Sequence, residues 1–188
     1  MGIKPDKWII EMCNHGLIQP WSEGSKNGIS YGVGHYGYDA RLDRDVKIFK
    51  HRYDDDIDPK NFDKGILGKL TVFHSLKGSY VKLPPYSFAL ATTIEHFSIP
   101  PNCIGLVTNK STYNRCGLVM GVAVLEPSWE GQITLELSNK TPLPIRLYIG
   151  EGICQIIFFE ADEGDDCIET YADGKYQCQT GVTVAKSG

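Results

Sequence analysis

Apolar residues near the start of the chain repeat with the spacing of a helix. The repeat predicts one helix over residues 6–17, in which Asp6 can cap the first turn and Gly16 stops the last one. The apolar positions of this helix are Trp8, Ile9, Met12 and Cys13. We expect no second long helix, because the rest of the chain has a different pattern.

From Ile29 onward the chain consists of short apolar or alternating segments, each bounded by Gly, Pro, Asn or Asp. These segments are rich in Val, Ile, Tyr, Phe and Thr, which favour extended structure. We predict strands over residues 39–42, 46–49, 80–83, 88–93, 104–108, 119–125, 132–139, 145–148 and 154–160. The pattern is typical of a mainly β protein with a barrel or sandwich architecture.

Two segments lack the strand pattern. Residues 50–69 are polar and acidic, so we expect a long surface loop. The adjacent residues Asp54, Asp55 and Asp56 allow either a metal site or a solvated, mobile loop; calcium loops place carboxylates at alternate positions, which favours the loop. The tail, residues 171–188, has few large apolar residues to anchor it in a core. We interpret it as a flexible lid, with a frayed terminus as the alternative.

The 188 residues fit one domain, residues 1–188, and their composition is that of an ordinary globular protein, with 41% apolar and 22% charged residues. No apolar run approaches the roughly 20 residues of a membrane-spanning helix, and the N-terminus lacks the pattern of a secretion signal. We therefore expect a cytoplasmic protein without a membrane partner. The net charge of −4 disfavours binding to duplex nucleic acid but leaves room for a small anionic ligand.

Six cysteines are scattered along the chain without a Cys-x-x-Cys pair. This spacing argues against a zinc knuckle. In a chain without a secretion signal, we expect reduced thiols that mostly fill the core.

Phosphate-binding residue types and a carboxylate are concentrated in one short part of the β region. Lys110, Ser111, Thr112 and Arg115 can donate charge-assisted and neutral hydrogen bonds to phosphate oxygens. Glu136 follows among apolar strand residues, where partial burial would raise its pKa and suit it to proton transfer. The alternative is a solvated turn beside a structural strand, since charged residues are usually exposed.

A series of motifs extends along nearly the whole chain. It includes Tyr36-Gly37-Tyr38-Asp39, Asp58-Pro59-Lys60-Asn61-Phe62, Lys110-Ser111-Thr112-Tyr113-x-Arg115-Cys116-Gly117, Leu125-Glu126-Pro127-x-Trp129-Glu130-Gly131, Thr134-Leu135-Glu136, Glu151-Gly152-x-x-Gln155 and Gly174-Lys175-Tyr176-Gln177-x-Gln179. This ordered set resembles the trimeric deoxycytidine triphosphate (dCTP) deaminases, which are relatives of the dUTPases.

The resemblance implies a distorted jelly-roll β-barrel of the dUTPase-like type with a short N-terminal helix, assembled as a homotrimer with each active site at a subunit interface. It also implies deamination without zinc. Zinc-dependent deaminases need a His-x-Glu element and a Pro-Cys-x-x-Cys element. None of the five histidines stands two residues before a glutamate, so the zinc signature is missing.

By this resemblance Glu136 is the proton shuttle. It would take a proton from a water molecule above C4 of the cytosine and deliver protons to N3 and to the departing amine. Ser111 and the backbone of residues 122–124 would hold the water, and Arg115 would hold Glu136 and the base in register. The resemblance therefore names Glu136, Ser111 and Arg115 as catalytic.

The resemblance also implies a nucleotide-binding set and its partners. Glu126 matches an acidic position near the sugar 3′-hydroxyl, and Tyr171, Lys175 and Gln179 match tail positions that approach the triphosphate. The full set is Lys110, Ser111, Thr112, Arg115, Glu126, Thr134, Leu135, Glu136, Gln155, Tyr171, Lys175 and Gln179. We expect Mg²⁺ to arrive with the triphosphate, no metal site of the protein's own, and dTTP as a possible inhibitor.

Departures from the family pattern fall near the expected base pocket. Close relatives carry Asn or His at the position of Gly121, Thr at Ala123, and Pro or Ala at Val124, and Asn114 replaces a usual Ala. We interpret residues 121–124, including Val122, as specificity determinants. Their small side chains predict room for a cytosine that is methylated or hydroxymethylated at C5.

Two further functions stay open. A bifunctional enzyme would also hydrolyse dUTP to dUMP, with Glu126 in place of the aspartate that dUTPases use against the α-phosphate. A non-catalytic nucleotide-binding regulator would keep the barrel without needing the proton-handling Glu136.

Overall fold

A short helix near the N-terminus packs on a sheet. The computed structural model describes residues 2–25, 27–50, 56–160 and 173–186. Helix α1 (Asp6–Asn14) buries Ile9 and Cys13. The predicted cap was wrong: Pro5 is the N-cap residue, and the Asp6 carboxylate instead accepts a hydrogen bond from the backbone N–H of Lys7 at 2.7 Å. Among the described residues, no helix is long and apolar enough to span a membrane.

Strands hold far more of the described residues than helices do, which confirms the predicted mainly β class. The strands are β1 (Gly2–Ile3), β2 (Ile18–Gln19), β3 (Gly32–Gly34), β4 (Gly37–Phe49), β5 (Leu67–Lys69), β6 (Val72–Ser75), β7 (Gly78–Leu83), β8 (Phe88–Ser98), β9 (Cys103–Asn109), β10 (Leu118–Met120), β11 (Ala123–Leu125), β12 (Glu130–Asn139), β13 (Ile145–Tyr148) and β14 (Gly152–Glu160). A second short helix, α2 (Ser111–Asn114), follows β9, and a 3₁₀ turn spans Lys64–Ile66.

The larger sheet curls until its two ends approach each other. Its strand order is β10-β12-β8-β4-β14-β9-β11, and β13, β7 and β6 form a separate three-stranded sheet. Only Gly121 and Val122 separate the terminal strands β10 and β11 in sequence. Because this link is so short, it holds the two ends of the sheet together. The Asn109 side chain strengthens this seam, because its Oδ1 accepts a hydrogen bond from Met120 N at 2.9 Å.

Strand β4 belongs to both faces of the curled sheet. Its first half pairs with β14 and its second half with β8, and the register shifts between Leu42 and Val46. At this irregularity Asp45 N donates a hydrogen bond to Asp43 Oδ1 at 2.9 Å. The two predicted strands 39–42 and 46–49 are therefore one bent strand, because the bulge between them absorbs the polar residues without ending the pairing.

Other predicted boundaries were wrong as well, and the helix predicted over residues 6–17 ends at Asn14. The predicted strand 119–125 is divided at Gly121 and Val122, where the chain passes between the two ends of the sheet. The predicted loop 50–69 ends in a 3₁₀ turn and in β5, which pairs with β4. Residues 51–55, with Asp54 and Asp55, lie outside the described residues, so the choice between a metal site and a mobile loop stays open there.

The core lies between the faces of the curled sheet and beneath α1. Its largest fully buried side chains include Tyr38, Phe97 and Phe158. The expectation that cysteines fill the core holds for part of the set: Cys13, Cys103 and Cys154 are buried, whereas Cys116 and Cys178 are exposed, and Cys167 lies outside the described residues. Burial raises the pKa of Cys103 to about 11, which keeps this thiol protonated.

Candidate active site

Strand β12 separates candidate site residues from core residues by simple alternation. Ile133, Leu135 and Leu137 are buried in the core, while Thr134 and Glu136 project from the opposite face. Leu135 can therefore reach a ligand only through its main chain.

Thr134 and Glu136 line a cavity of about 360 Å³. Ala123 and Val124 of β11 and Gln179 of the tail line the same cavity. Three segments that are distant in sequence thus bring these five predicted site residues together. The meeting point is the seam where β10 and β11 approach each other.

The carboxylate of Glu136 lies in a partly desolvated position. Glu136 is exposed in a single copy of the chain, yet the atoms around its carboxyl group desolvate it in part. This partial burial raises the pKa of Glu136, and a hydrogen bond involving its own backbone opposes the rise. Desolvation favours the neutral acid over the carboxylate. A carboxyl group in this condition can both accept and return a proton, which is the property the sequence pattern predicted for this position.

Gly121 lies directly against Glu136. Its backbone N–H donates a hydrogen bond to the Glu136 carbonyl oxygen at 3.1 Å. A Cβ atom at position 121 would lie 2.5 Å from Glu136 Oε2, so any side chain there would have to displace the carboxylate. The identity of residue 121 therefore affects where the carboxyl group points.

The described part of the tail, residues 173–186, is docked along β12. Gln132 N donates to the Gln179 carbonyl oxygen at 2.9 Å, and Gln179 Nε2 donates to the Gln132 carbonyl oxygen at 2.8 Å. Thr183 N donates to Thr134 Oγ1 at 3.1 Å, and Val182 is buried. The tail is thus anchored more firmly than its composition indicated, mainly through backbone and amide hydrogen bonds.

Aromatic side chains that were not predicted as site residues contribute to the cavity. Phe49, Phe62, Trp129 and Tyr176 all line it. Trp129 Nε1 donates to the Tyr176 carbonyl oxygen at 3.1 Å, which joins two of these residues across the tail. Phe62, Trp129 and Tyr176 occur in the motifs quoted above, so those motifs were the sequence feature that could have identified them. Flat apolar surfaces of this kind suit a heterocyclic base.

Helix α2 presents a second group of candidate residues. Ser111, Thr112 and Arg115 are exposed, and Arg115 follows the last residue of the helix. Within the described parts of the chain, Arg115 has no hydrogen bond or ion pair through its side chain, and no hydrogen bond joins it or Ser111 to Glu136. One copy of the chain therefore does not link the three predicted catalytic side chains.

Lys110 differs from its neighbours because its side chain points inward. Its Nζ donates to Asp39 Oδ2 at 2.5 Å and to Ser30 Oγ at 3.1 Å. Lys110 is also the N-cap residue of α2, so this ion pair fixes the start of the helix. Any contact from Lys110 to a nucleotide through its side chain would require this pair to open.

The remaining predicted residues lie elsewhere or outside the described chain. Gln155 is half-buried on β14 opposite Asp39, and it is not among the residues that line the Glu136 cavity. Glu126 is exposed in a turn in which its carbonyl oxygen accepts from Trp129 N. Lys175 is exposed on the tail and Val122 is exposed on the link between β10 and β11. Tyr171 lies outside the described residues.

The curled antiparallel sheet and its acid-containing, aromatic-lined cavity define a β-barrel-like protein with a site suited to a nucleobase. The family described as dCTP deaminase-like matches residues 3–161. The chain belongs to this family.

Individual relatives agree with the family match. The chain is 49% identical over 197 residues to a dCTP deaminase of Acinetobacter baumannii (strain AYE), with all of both chains covered. It is 46% identical to a dCTP deaminase of Chlamydia felis (strain Fe/C-56), with 98% of each chain covered. The crystal structure of 2′-deoxycytidine 5′-triphosphate deaminase from Agrobacterium tumefaciens matches with a TM-score of 0.61 at 15% identity. This match covers 84% of this chain and 47% of the Agrobacterium tumefaciens chain, so this chain spans about half the length of that protein. The likeness shows the fold.

Proposed function

We propose that this protein hydrolyses dCTP to dUTP and ammonia. The observation that carries the proposal is the position of Glu136, whose pKa is raised by burial at a cavity lined by aromatic side chains. The dCTP deaminase names of the full-length relatives support the same reaction.

Glu136 performs the proton transfers in this proposal. As a carboxylate it accepts a proton from water, and the resulting hydroxide forms a bond to C4 of the cytosine. The protonated acid then donates to N3, and the second proton of the water reaches the amine, so that the C4–N bond breaks and ammonia leaves. A raised pKa helps the acid return its proton near neutral pH. No metal ion takes part in these steps.

Other residues hold the water and the nucleotide. Ser111 and the backbone of residues 122–124 position the water, and Arg115 holds the base and Glu136 in register. Removing one preorganised donor of this kind lowers the rate by about 10²–10³-fold. Thr112 and Lys175 bind the triphosphate together with its Mg²⁺, which enters as part of the substrate.

We further infer that the active site is completed between subunits of a homotrimer. In the described part of one chain, no hydrogen bond joins Glu136 to the helix that carries Ser111 and Arg115, so a second copy can supply the missing half. Apolar residues near the Glu136 cavity are unusually exposed: Val122 is 67% and Val124 is 50% exposed. Exposed apolar groups next to a polar site are typical of a subunit interface.

Mixing two inactive variants tests this arrangement. Glu136→Gln and Arg115→Gln are purified separately, dissociated, mixed in equal amounts and reassembled. If one subunit supplies Glu136 and its neighbour supplies Arg115, one site in each mixed trimer carries both native residues. Averaged over all trimers formed by random reassembly, ammonia release then returns to about a quarter of the native level. Persistent inactivity of trimers shown to be mixed would contradict a shared site.

Product analysis tests the reaction itself. With dCTP as substrate, ammonia and dUTP in equal amounts are the expected products. Release of pyrophosphate and dUMP would indicate the bifunctional reaction that Glu126 was considered for, and no ammonia would indicate a binding protein. Neither alternative has specific support over deamination.

A C5-substituted substrate stays a prediction. Gly121 has no side chain over the Glu136 carboxylate, and Ala123 lines the cavity with a single methyl group. Comparing kcat/KM for dCTP and 5-methyl-dCTP tests it, and a strong preference for dCTP would refute it. Inhibition by dTTP and a cytoplasmic location likewise stay predictions.

A further inference from the structure

A second cavity, next to the Glu136 cavity, is lined by lysines. It encloses about 790 Å³ between β4, β5 and the tail. Lys47, Lys64, Lys69 and Lys186 line it, and no acidic side chain does so among the described residues. The whole chain carries a net charge of −4, so four cations around one cavity reverse the overall sign locally.

Two of these lysines face each other in a way that costs stability. Lys47 and Lys69 are directly opposite in the antiparallel pairing of β4 with β5, so their side chains share one face. Like charges at such positions are destabilising. Lys47 has one counter-charge, Asp45 Oδ2 at 3.5 Å, whereas Lys69 has no ion-pair partner among the described residues. A bound anion would remove this repulsion.

The third wall of the cavity is the tail. Lys186 Nζ donates to the Lys175 carbonyl oxygen at 2.9 Å, which places its ammonium group on the docked segment. An anion that contacts Lys69 on the sheet and Lys186 on the tail would tie the two together. Uncharged donors are also present, because Asn61 and Thr183 line the cavity.

This cavity is continuous with the candidate active site. Phe62, Thr183, Val184 and Ala185 line both cavities. We propose that the cavity lined by the four lysines binds the phosphate groups of a di- or triphosphate. Lysine ammonium groups donate several charge-assisted hydrogen bonds to phosphate oxygens, and one linear triphosphate can reach several of them. The site does not depend on the proposed deamination; only the identity of its ligand does.

Titration with inorganic tripolyphosphate tests the site. The full-length protein, the double variant Lys47→Gln/Lys69→Gln and the control Lys7→Gln/Lys140→Gln are compared by calorimetry at one salt concentration. Both control lysines are exposed and lie outside the cavity. We expect affinity to fall at least about tenfold in the first variant and to stay unchanged in the control. Equal affinities in all three proteins would overturn the proposal.

A second measurement separates loss of the site from loss of folding. Without anion, the Lys47→Gln/Lys69→Gln variant should unfold at the same temperature as the native protein or above it, because it lacks the opposed charges. Tripolyphosphate should then raise the Tm of the native protein more than that of the variant. A variant that is less stable without anion yet equally stabilised by it would contradict the argument.

A competition experiment identifies the molecule that carries the phosphates. The variant Glu136→Gln, which should not consume dCTP, is saturated with dCTP and then titrated with tripolyphosphate. If dCTP prevents tripolyphosphate from binding to the lysines, the ligand is the triphosphate of the substrate. If both bind at once, the ligand is a separate phosphorylated molecule. Arg115→Gln completes the series. If this variant loses tripolyphosphate binding while Lys47→Gln/Lys69→Gln binds it fully, the anion lies at α2 and the lysine site is refuted.

Discussion

Replacing Asp39 by alanine tests how the helix that carries Ser111 is held. In the native protein Lys110 Nζ lies 2.5 Å from Asp39 Oδ2, and the two side chains are only 8% and 16% exposed. The replacement leaves a buried ammonium group with Ser30 Oγ, at 3.1 Å, as its remaining acceptor. The start of α2 then loses the contact that fixes its N-cap residue.

The expected loss can be worked out from this burial. Removing one partner of a fully buried ion pair costs about 3–5 kcal/mol of unfolding free energy, and a hydrogen bond to a charged group contributes about 1.5–3 kcal/mol. Part of the Asp39 side chain reaches solvent, so water can enter and solvate Lys110 in the variant. We therefore expect Asp39→Ala to lower the free energy of unfolding by about 2–3 kcal/mol.

Urea titrations at one fixed protein concentration measure this loss, because subunit association would make stability depend on concentration. Lys110→Met and the double variant complete the cycle. The double variant should be more stable than the sum of the single losses predicts, by at least about 1 kcal/mol, since it leaves no unpaired buried charge. A loss below about 0.5 kcal/mol for Asp39→Ala, or additive losses, would refute the reasoning.

Three further outcomes are expected. Burial raises the pKa of Glu136, so protonation of this residue stabilises the fold below the ordinary glutamate pKa of 4.5, and that contribution is lost as pH rises through the raised value. Glu136→Gln should therefore have a higher Tm than the native protein above the raised pKa; a lower Tm there would contradict the assigned cause. Gly117→Ala should destabilise more than Gly150→Ala in urea titrations: their φ angles are +82° and +78°, but only at Gly117 would a Cβ atom meet a side chain, Thr141 Cγ2 at 2.1 Å. Equal losses of unfolding free energy in the two variants would show that the positive φ angle, and not the contact with Thr141, determines the cost. Val182→Asp should release the tail and speed its cleavage in limited proteolysis, with unchanged cleavage as the opposing result.

Local patterns in the sequence were sufficient for most of the secondary structure. The strand that contains Glu136 was predicted from the sequence, whereas its position on the face opposite the core comes from the structure. The bent strand β4 was missed because Asp43, Arg44 and Asp45 interrupt the apolar pattern, while the pairing continues on both sides of the bulge. Local patterns report which residues are extended, but they do not report which neighbour each segment pairs with.

The candidate site was harder to predict where contacts are distant in sequence. Lys110 was assigned to a nucleotide, yet its side chain is paired with Asp39, 71 positions away. Docking of the tail depends on Gln179 and Gln132, whose amides match only after folding. Thr134, Glu136 and Gln179 line one cavity, and all three belong to the nucleotide-binding set that the family resemblance implies. The spacing of apolar and polar residues along the chain did not indicate that they would meet.

The most direct test of the central claim is the rate of ammonia release by Glu136→Gln in a single turnover with dCTP. Binding of dCTP, measured separately by calorimetry, should change only slightly, because the amide keeps the size of the side chain. The chemical step should slow by at least about 10²–10³-fold, since the amide cannot accept the proton from water. Ammonia release at the native rate, with binding intact, would contradict the assignment of Glu136 as the proton shuttle.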